Sequence, residues 1–434
     1  MNSTEFFRNL VREQKRGKAV GVYSVCSSHP AVIDAALVQA QRDESVVLIE
    51  STSNQVNQFG GYTGLTPEGF RDFVFQRADA AGFDRSRILL GGDHLGPVPF
   101  QGEDTASAMD KARVMVARFV EAGFVKIHLD TSIPLGGRSS IETEEVADRC
   151  AELCRVCEDA YGGRGAGGPE PVYIIGTEVP VPGGSDEVCE GVHVTSAEDF
   201  EETVEITGQA FRRKGLGGAW ERVIAAVVQP GVEFGDQKVL EYCREDAASL
   251  SVRLGDYPGL VFEAHSADYQ TCRALTQMVE DGFAVLKVGP GLTYAFREAV
   301  FLLCAIENEL ARVHKELEPS RLVETLDEVM VQDPRYWIKY YGGGEAEQSF
   351  RRKYSLFDRS RYYWGDARVQ SSLGCLLQNL RHVPIPMTLL SQFFPLQYRT
   401  IREGRLGSDP ETLILDWIGE VLSDYASAAG MRRL

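Results

Sequence analysis

Residues 88–132 read ILLGGDHLGPVPFQGEDTASAMDKARVMVARFVEAGFVKIHLDTS, and this stretch holds a strand, a helix and a second strand in that order. The apolar runs at 88–93 and 125–130 predict short buried strands. Between these runs, apolar residues recur at the spacing of one helical face, namely Met109, Ala112, Val116, Phe119 and Val120. The stretch therefore predicts one strand–helix–strand unit with parallel strands.

The same order repeats along most of the chain. Apolar and β-branched runs stand at 19–25, 46–50, 88–93, 125–130, 172–177, 223–229, 260–265 and 284–288. Segments with helical periodicity separate them, and this alternation requires parallel strands joined by right-handed crossovers. Eight such units predict an α/β fold of the (β/α)8 TIM-barrel class. A doubly wound open sheet is the alternative.

The alternation stops after a helix predicted around 299–315. Residues 316–434 contain helical and aromatic-rich segments, among them 335–341 and 362–364. We therefore predict a barrel over residues 1–315 and a helical C-terminal extension over residues 316–434 that packs on the barrel. The aromatic residues of the extension are expected to fill the junction with the barrel, and an oligomer or partner surface is the alternative.

The composition excludes several classes of partner. Of 434 residues, 45 are basic and 63 are acidic, and the net charge of −18 repels nucleic acids and anionic membranes. The sequence contains no signal peptide and no long apolar span, so we expect a cytoplasmic protein. The nine cysteines form no framework of short spacings and are expected to be reduced.

Cys150, Cys154 and Cys157 have a spacing that also occurs in iron–sulfur enzymes. Their segment has strong helical periodicity, which places all three thiols on the apolar face of one helix. We therefore predict core packing and no iron–sulfur cluster.

Polar residues collect where the predicted strands end. They are Ser28, His29, Glu50, Asn54, Gln58, Asp93, His94, His128, Asp130, Ser132, Glu178, Gln229, Glu233, Glu263, His265, Lys287, Gly289 and Gly291. In a (β/α)8 barrel these ends meet at the face that carries the active site. The residues form either a ligand site or an interior network of ion pairs.

His94 and His265 are a natural pair of ligands for a divalent metal such as zinc or manganese, with carboxylates nearby. The amides of Gly289 and Gly291 are a candidate phosphate cradle, with Lys287 or Arg297 near enough to assist. The sequence has no G-x-x-x-x-G-K-[ST] motif and no sugar-kinase anion-hole motif. We therefore predict no nucleotide cofactor and no kinase activity.

Seven stretches carry a resemblance to a known family, namely GVYSVCSSHP, ESTSNQVNQFGGYTG, GGDHLGP, HLDTS, GTEVPVPGG, QPGVEFG and FEAHS. With these stretches the chain resembles the GatZ/KbaZ family, the accessory or non-catalytic subunits of class II D-tagatose-1,6-bisphosphate aldolase. The family in turn resembles the zinc-dependent class II aldolases.

The resemblance implies roles for several residues. The catalytic candidates are Asp93, Asp130 and Glu178, and the metal-binding candidates are His94, His265, Gln229 and Glu178. The strand-end positions themselves supply the substrate-binding candidates, which are Ser28, His29, Asn54, His128, Ser132, Glu263, Lys287, Gly289 and Gly291. Gln229 departs from the aldolase pattern, which has a zinc-binding histidine at this point, and an amide is a poorer zinc ligand than imidazole.

The resemblance implies an accessory subunit that stabilises and activates a catalytic aldolase subunit within an oligomer. The first alternative is an enzyme in its own right, either a metal-dependent epimerase that acts at C4 of a ketohexose or its phosphate, or an aldolase. The second alternative is a scaffold that binds a sugar phosphate without turnover.

Overall fold

Eight parallel strands close into a barrel in the computed structural model, which describes residues 2–164, 168–176 and 192–431. The strands of the described residues are β1 Val22–Cys26, β2 Val47–Thr52, β3 Ile88–Leu95, β4 Lys126–Leu129, β5 Val172–Gly176, β6 Val223–Val227, β7 Glu233–Phe234, β8 Val239–Leu240, β9 Val261–Ala264 and β10 Phe283–Val288. Their order around the barrel is β1, β10, β9, β6, β5, β4, β3 and β2, while β7 and β8 form a small antiparallel hairpin. The closed barrel confirms the predicted TIM-barrel class, and the open sheet is wrong.

Helices follow the strands and surround them. They are α1 Ser3–Lys15, α2 Pro30–Arg42, α3 Pro67–Ala80, α4 Thr105–Glu121, α5 Thr143–Gly163, α6 Ala197–Arg213, α7 Gly217–Trp220, α8 Arg244–Arg253, α9 Cys272–Glu280, α10 Pro290–Val313, α11 Leu322–Gln332, α12 Glu345–Tyr354, α13 Ala367–His382, α14 Met387–Phe393, α15 Pro395–Arg402 and α16 Pro410–Ala429. Local signals fix several starts. The Asp104 carboxylate, for example, accepts hydrogen bonds from the amides of Ala106 and Ser107 at the start of α4.

All eight predicted runs coincide with barrel strands. The first strand begins at Val22 rather than at residue 19. The reason is that the amide of the preceding Gly21 donates to the carbonyl of Ala429, the last residue of α16, over 2.7 Å. Helix α10 begins nine residues before the predicted 299, since Pro290 stands at its first turn.

No strand follows β10 in the described part of the chain, as the loss of alternation after residue 315 predicts. The last helix nevertheless joins the layer around the barrel, because α16 contacts α2, α9, α10 and strand β1. The hydroxyl of Tyr425 in α16 also donates a hydrogen bond to the carbonyl of Ala267, just after β9. The extension thus lies directly against the barrel.

The aromatic residues of the extension fill the junction with the barrel. Trp364 is buried, and its ring meets Phe296 of α10 edge to face with 4.9 Å between the centroids. His29 lies against the same Phe296 ring with centroids 4.1 Å apart. The three rings join the end of β1, helix α10 and the extension.

Cys150, Cys154 and Cys157 are buried along α5, and burial raises the pKa of each thiol. The structure therefore places them in the core, as their helical spacing predicts. Among the described residues, no helix is long and apolar enough to cross a membrane.

Leu422 tests how much the barrel depends on α16, in which it is fully buried. We expect Leu422→Ala to lower the free energy of unfolding by about 2–5 kcal/mol, because the change leaves a cavity between α16 and the barrel helices. The measurement is a thermal melt of the whole chain. The control is Leu396→Ala, since Leu396 on α15 is 51% exposed. Equal melting temperatures for both variants would contradict a supporting role of α16.

Candidate active site

The site begins at an irregularity near the end of β3, where Asp93 and His94 follow each other. Consecutive side chains point to opposite faces of a regular strand. Here the pairing of β3 with β4 shifts register between Gly92 and Leu95, and His94 has a left-handed backbone with a φ of 47°. A bulge of this kind re-aims side chains. Asp93 and His94 consequently face the same cavity.

Two glycines beside this pair are required by close approaches. A Cβ atom at Gly91 would lie 2.5 Å from a carboxylate oxygen of Glu50. A Cβ atom at Gly96 would lie 1.7 Å from the carbonyl oxygen of Asp130, which no side-chain movement relieves. The GGDHLG motif therefore lets β3 lie close to Glu50 on one side and to the end of β4 on the other.

Asp93 is a fully buried carboxylate at the centre of the site. Its Oδ1 lies 2.9 Å from Nδ1 of His128, and its Oδ2 forms an ion pair with the ammonium group of Lys287. Burial alone would raise the pKa of Asp93, but the neighbouring His94 and Lys287 hold that pKa well below its ordinary value. The carboxylate is therefore ionised at neutral pH.

His128 holds Asp93 in place from below. Its Nε2 lies 3.1 Å from the carbonyl oxygen of Gly176, to which only an N–H can donate, while Nδ1 faces Asp93. Burial works to lower the pKa of His128, but the hydrogen bond and the charge of Asp93 raise that pKa above its ordinary value. The backbone amide of His94 also donates a hydrogen bond to Nδ1 of His128 over 3.2 Å, so this ring is fixed by Asp93, Gly176 and the backbone of His94.

A second layer of charge lies deeper in the barrel. The ammonium group of Lys126 is 2.7 Å from Oε1 of Glu50 and 2.7 Å from Oε2 of Glu263. Oε1 of Glu263 also lies 3.0 Å from Nε2 of His265. Burial alone would raise the pKa of Glu263, but Lys126 and His265 lower it. Glu263 thus connects the buried lysine with the second predicted metal-binding histidine.

His94 offers a nitrogen toward a ligand. Its Nδ1 lies 2.8 Å from Oδ2 of Asp130, which fixes the orientation of the ring. Its Nε2 is buried and has no hydrogen-bond partner among residues 2–164, 168–176 and 192–431. A buried nitrogen acceptor without a partner, on an imidazole held by a carboxylate, is the arrangement expected of a metal ligand.

The predicted metal-binding pair lies close together, because the ring centroids of His94 and His265 are 4.7 Å apart. Asp93, His94, His128 and His265 each offer a donor atom, and these atoms all lie within 4.8 Å of one another. Burial and the charge of Lys287 lower the pKa of His265 well below its ordinary value, so this imidazole is neutral. The donor set therefore fits a divalent metal of the zinc class.

A cavity of about 820 Å³ opens above this cluster. The strand ends form one wall, and residues of the C-terminal extension form another, among them Arg361, Tyr362 and Trp364. Glu233 lies behind the wall, where its Oε2 accepts a hydrogen bond from the hydroxyl of the cavity-lining Ser266. Burial raises the pKa of Glu233 to about 7.

The structure brings most of the predicted site residues to this cavity. Its walls include Ser28, His29, Asn54, Asp93, His94, Asp130, His265, Lys287 and Gly289. The predicted residues that do not line it are His128, Ser132, Gln229, Glu263 and Gly291. Glu178 lies outside the described residues, so its catalytic and metal-binding roles stay predictions.

His128 and Glu263 are fully buried and contact Asp93 and His265, and their predicted contact with a substrate stays a prediction. Ser132 stands to the side, where its hydroxyl donates to Asp130 over 2.7 Å. The side-chain oxygen of Gln229 accepts a hydrogen bond from the amide of Gly231 over 2.8 Å, and metal binding by Gln229 stays a prediction.

The expectation of free amides at Gly289 and Gly291 is wrong. Both amides donate to Oδ1 of Asp268, over 2.9 and 2.7 Å, so an internal carboxylate occupies the position of the predicted phosphate. Arg297 does not line the cavity, and its guanidinium group stacks on the Tyr294 ring at 4.1 Å from the centroid.

The sequence analysis missed three residues of the site. Asp268 stands only three residues after His265, and Tyr62 lies in the GGYTG segment after β2, so attention to each strand end could have found both. Arg361 belongs to the extension, where the only signal was a basic residue beside an aromatic run.

Comparison with known proteins gives the same family along the whole chain. The family model for "D-tagatose-1,6-bisphosphate aldolase subunit GatZ/KbaZ-like" matches residues 7–430. Two relatives named "D-tagatose-1,6-bisphosphate aldolase subunit GatZ", from Escherichia coli O1:K1 / APEC and Escherichia coli O45:K1 (strain S88 / ExPEC), are each 45% identical over 419 residues. Those alignments cover 96% of this chain and 98% of each relative.

A solved structure from Sinorhizobium meliloti 1021, described as a probable tagatose 6 phosphate kinase, has the same fold. It is 44% identical, with a TM-score of 0.86, and the alignment covers 94% of this chain and 100% of that one. The absence of kinase activity in this chain stays a prediction. On the family match and the identity to curated relatives, the chain belongs to the D-tagatose-1,6-bisphosphate aldolase subunit GatZ/KbaZ-like family.

Proposed function

We propose that this protein is an accessory subunit of a class II D-tagatose-1,6-bisphosphate aldolase, which stabilises and activates a separate catalytic subunit in the cytoplasm. The observation that carries the proposal is the match to subunits of that name over nearly the whole chain. The match includes the extension as well as the barrel, so either part can supply the surface that contacts the catalytic subunit.

A second function is favoured by the charged cluster itself. Asp93, His94 and His265 surround one end of the cavity, and Nε2 of His94 has no hydrogen-bond partner in the described ranges. These residues support metal-dependent chemistry on a ketohexose or its phosphate, either epimerisation at C4 or aldol cleavage. A bound divalent metal would polarise a carbonyl or hydroxyl oxygen of the sugar.

The chain's own residues supply the rest of this chemistry. Asp130 orients His94, and Glu263 orients His265, so both imidazoles are fixed before a ligand arrives. Lys287 keeps Asp93 ionised as a hydrogen-bond acceptor for a sugar hydroxyl. Because burial raises its pKa to about 7, Glu233 can hold or release a proton near neutral pH, and Ser266 connects it with the cavity.

A metal analysis tests the cluster. We expect about one equivalent of zinc or manganese in protein purified without chelator, because two oriented imidazoles and a carboxylate form an open site. His94→Ala and His265→Ala should each remove most of it, measured by elemental analysis. The matched control is His314→Ala, which changes a half-buried histidine at the end of α10, away from the cavity. Less than about a tenth of an equivalent in the wild-type protein would defeat the proposal.

Co-expression with the catalytic subunit tests the accessory role. We expect the two chains to co-elute in size exclusion and the aldolase rate to exceed that of the catalytic subunit alone. Support by an accessory chain needs its surface and not its cavity, so a change in the cavity wall that leaves the buried charges intact, Asn54→Ala, should activate as well as the wild-type chain does. Separate elution with no change in rate would end this proposal.

Assays of the purified chain alone test chemistry of its own. With metal supplied, we expect interconversion of fructose and tagatose, or of their 6-phosphates, and loss of about 100-fold or more in Asp93→Asn and in His265→Ala. The control is Asp110→Asn, since Asp110 is an exposed carboxylate on α4. Tight sugar-phosphate binding without turnover would instead favour the scaffold alternative. A protein that neither binds nor converts these sugars would favour the accessory role alone.

A further inference from the structure

We propose that Arg361 of the C-terminal extension binds the phosphate group of a phosphorylated ketose in the cavity. The identity of the sugar rests on the proposed function. The phosphate preference rests on the charges and contacts of the cavity wall.

The segment that carries Arg361 is firmly attached to the barrel. The amide of Leu356 donates to the carbonyl of Asp236 over 2.9 Å, and the hydroxyl of Tyr269 donates to the carbonyl of Leu356 over 2.6 Å. The Asp358 carboxylate accepts hydrogen bonds from Thr293 of α10 and from Ser360. The barrel therefore positions this part of the extension, rather than leaving it as a loose lid.

Arg361 itself is held by its neighbours and keeps donors available. Its Nη1 donates to the carbonyl oxygens of Phe357 and Asp358, and its Nη2 donates to the Tyr362 hydroxyl over 3.0 Å. A guanidinium group has five N–H donors. The N–H of Nε and one N–H of Nη2 thus have no acceptor in the described ranges, and two such donors suit a phosphate group.

The charge of Arg361 is also available. No carboxylate of residues 2–164, 168–176 or 192–431 forms an ion pair with Arg361 within 4.0 Å. Lys287, the other lysine or arginine of the cavity wall in these ranges, is paired with Asp93. The amides of Gly289 and Gly291 are already bound to Asp268. The carboxylates of Asp358 and Asp268 act on the charge of Arg361 from beyond ion-pair distance, so a phosphate in this cavity would find at Arg361 a cation without a directly bound carboxylate.

The proposal assigns different parts of the cavity wall to different parts of a ligand. The ketose carbonyl and hydroxyl groups belong beside Asp93, His94 and His265. The phosphate belongs at the wall formed by the extension. Arg361 would therefore determine the preference for phosphorylated over free sugars without contacting the reacting atoms.

Isothermal titration calorimetry of the full chain tests this proposal, with fructose 6-phosphate, fructose and inorganic phosphate as probes. We expect Arg361→Gln to weaken binding of fructose 6-phosphate about 10- to 100-fold, because charge-assisted hydrogen bonds are lost. Binding of fructose should not change. Arg361→Lys keeps the charge without the planar fork, so it should recover part of the affinity.

The control is Arg335→Gln, because Arg335 is an exposed arginine of the same extension. Its affinities should equal those of the wild-type chain, and thermal melts check that each variant is folded. Equal weakening of fructose and fructose 6-phosphate in Arg361→Gln would overturn the proposal, and so would wild-type protein that binds neither fructose 6-phosphate nor inorganic phosphate.

Calorimetry measures binding and does not require turnover. It therefore separates failure of the phosphate site from failure of the proposed function. A chain that turns over no sugar but loses phosphate-dependent affinity in Arg361→Gln supports this assignment and contradicts only the catalytic proposal. A third result is that inorganic phosphate binds only when Arg361 is present, while the chain shows no selectivity among sugars. That result supports the phosphate site and contradicts the ketose as its ligand.

Discussion

The structure depends on the compensation of one buried negative charge, the carboxylate of Asp93 at the centre of the barrel. A buried charge is stable only when it is paired and hydrogen-bonded. Lys287 of β10 and His128 of β4 provide this compensation through an ion pair and a hydrogen-bond contact. His94 and His265 also lie within 4.0 Å of the same carboxylate. The inner ends of four strands are thereby fixed relative to one another.

The fold followed from the sequence because strand and helix periodicity are local properties. Each of the eight strands is one apolar run, and the crossover rule allows few ways to join eight of them. The sequence also showed that Asp93 and His94 stand at the same strand end. It did not show that both face one cavity, because this depends on the register shift at β3 and on the left-handed backbone of His94. Pairing between β3 and β4, which helix α4 separates in the chain, creates that shift, and no pattern within either strand indicates it.

Depth along the barrel axis explains the errors in the predicted site. Alternation along a strand shows that His128 and Glu263 point inward, but it does not show how far they lie below the cavity. Neither lines the cavity, and both contact other buried side chains of the site, Asp93 and His265. The cradle at Gly289 and Gly291 failed for a related reason, because its occupant, Asp268, comes from the end of a different strand. The position of Arg361 at the cavity could not be predicted from the sequence, because the extension has no strand ends to indicate where its side chains meet the barrel.

The buried charges also bear on why the cavity exists. Support of another subunit does not by itself require two lysines, two glutamates, an aspartate and three histidines buried in the barrel. Replacement of buried ion pairs by well-packed apolar residues is often neutral or stabilising, so packing alone does not explain Lys126 between Glu50 and Glu263. These residues hold His265, and through it they shape the end of the cavity that carries Asp93 and His94. The arrangement is the one expected of a ligand site, and under the proposed function such a chain would combine assembly with recognition of a small molecule.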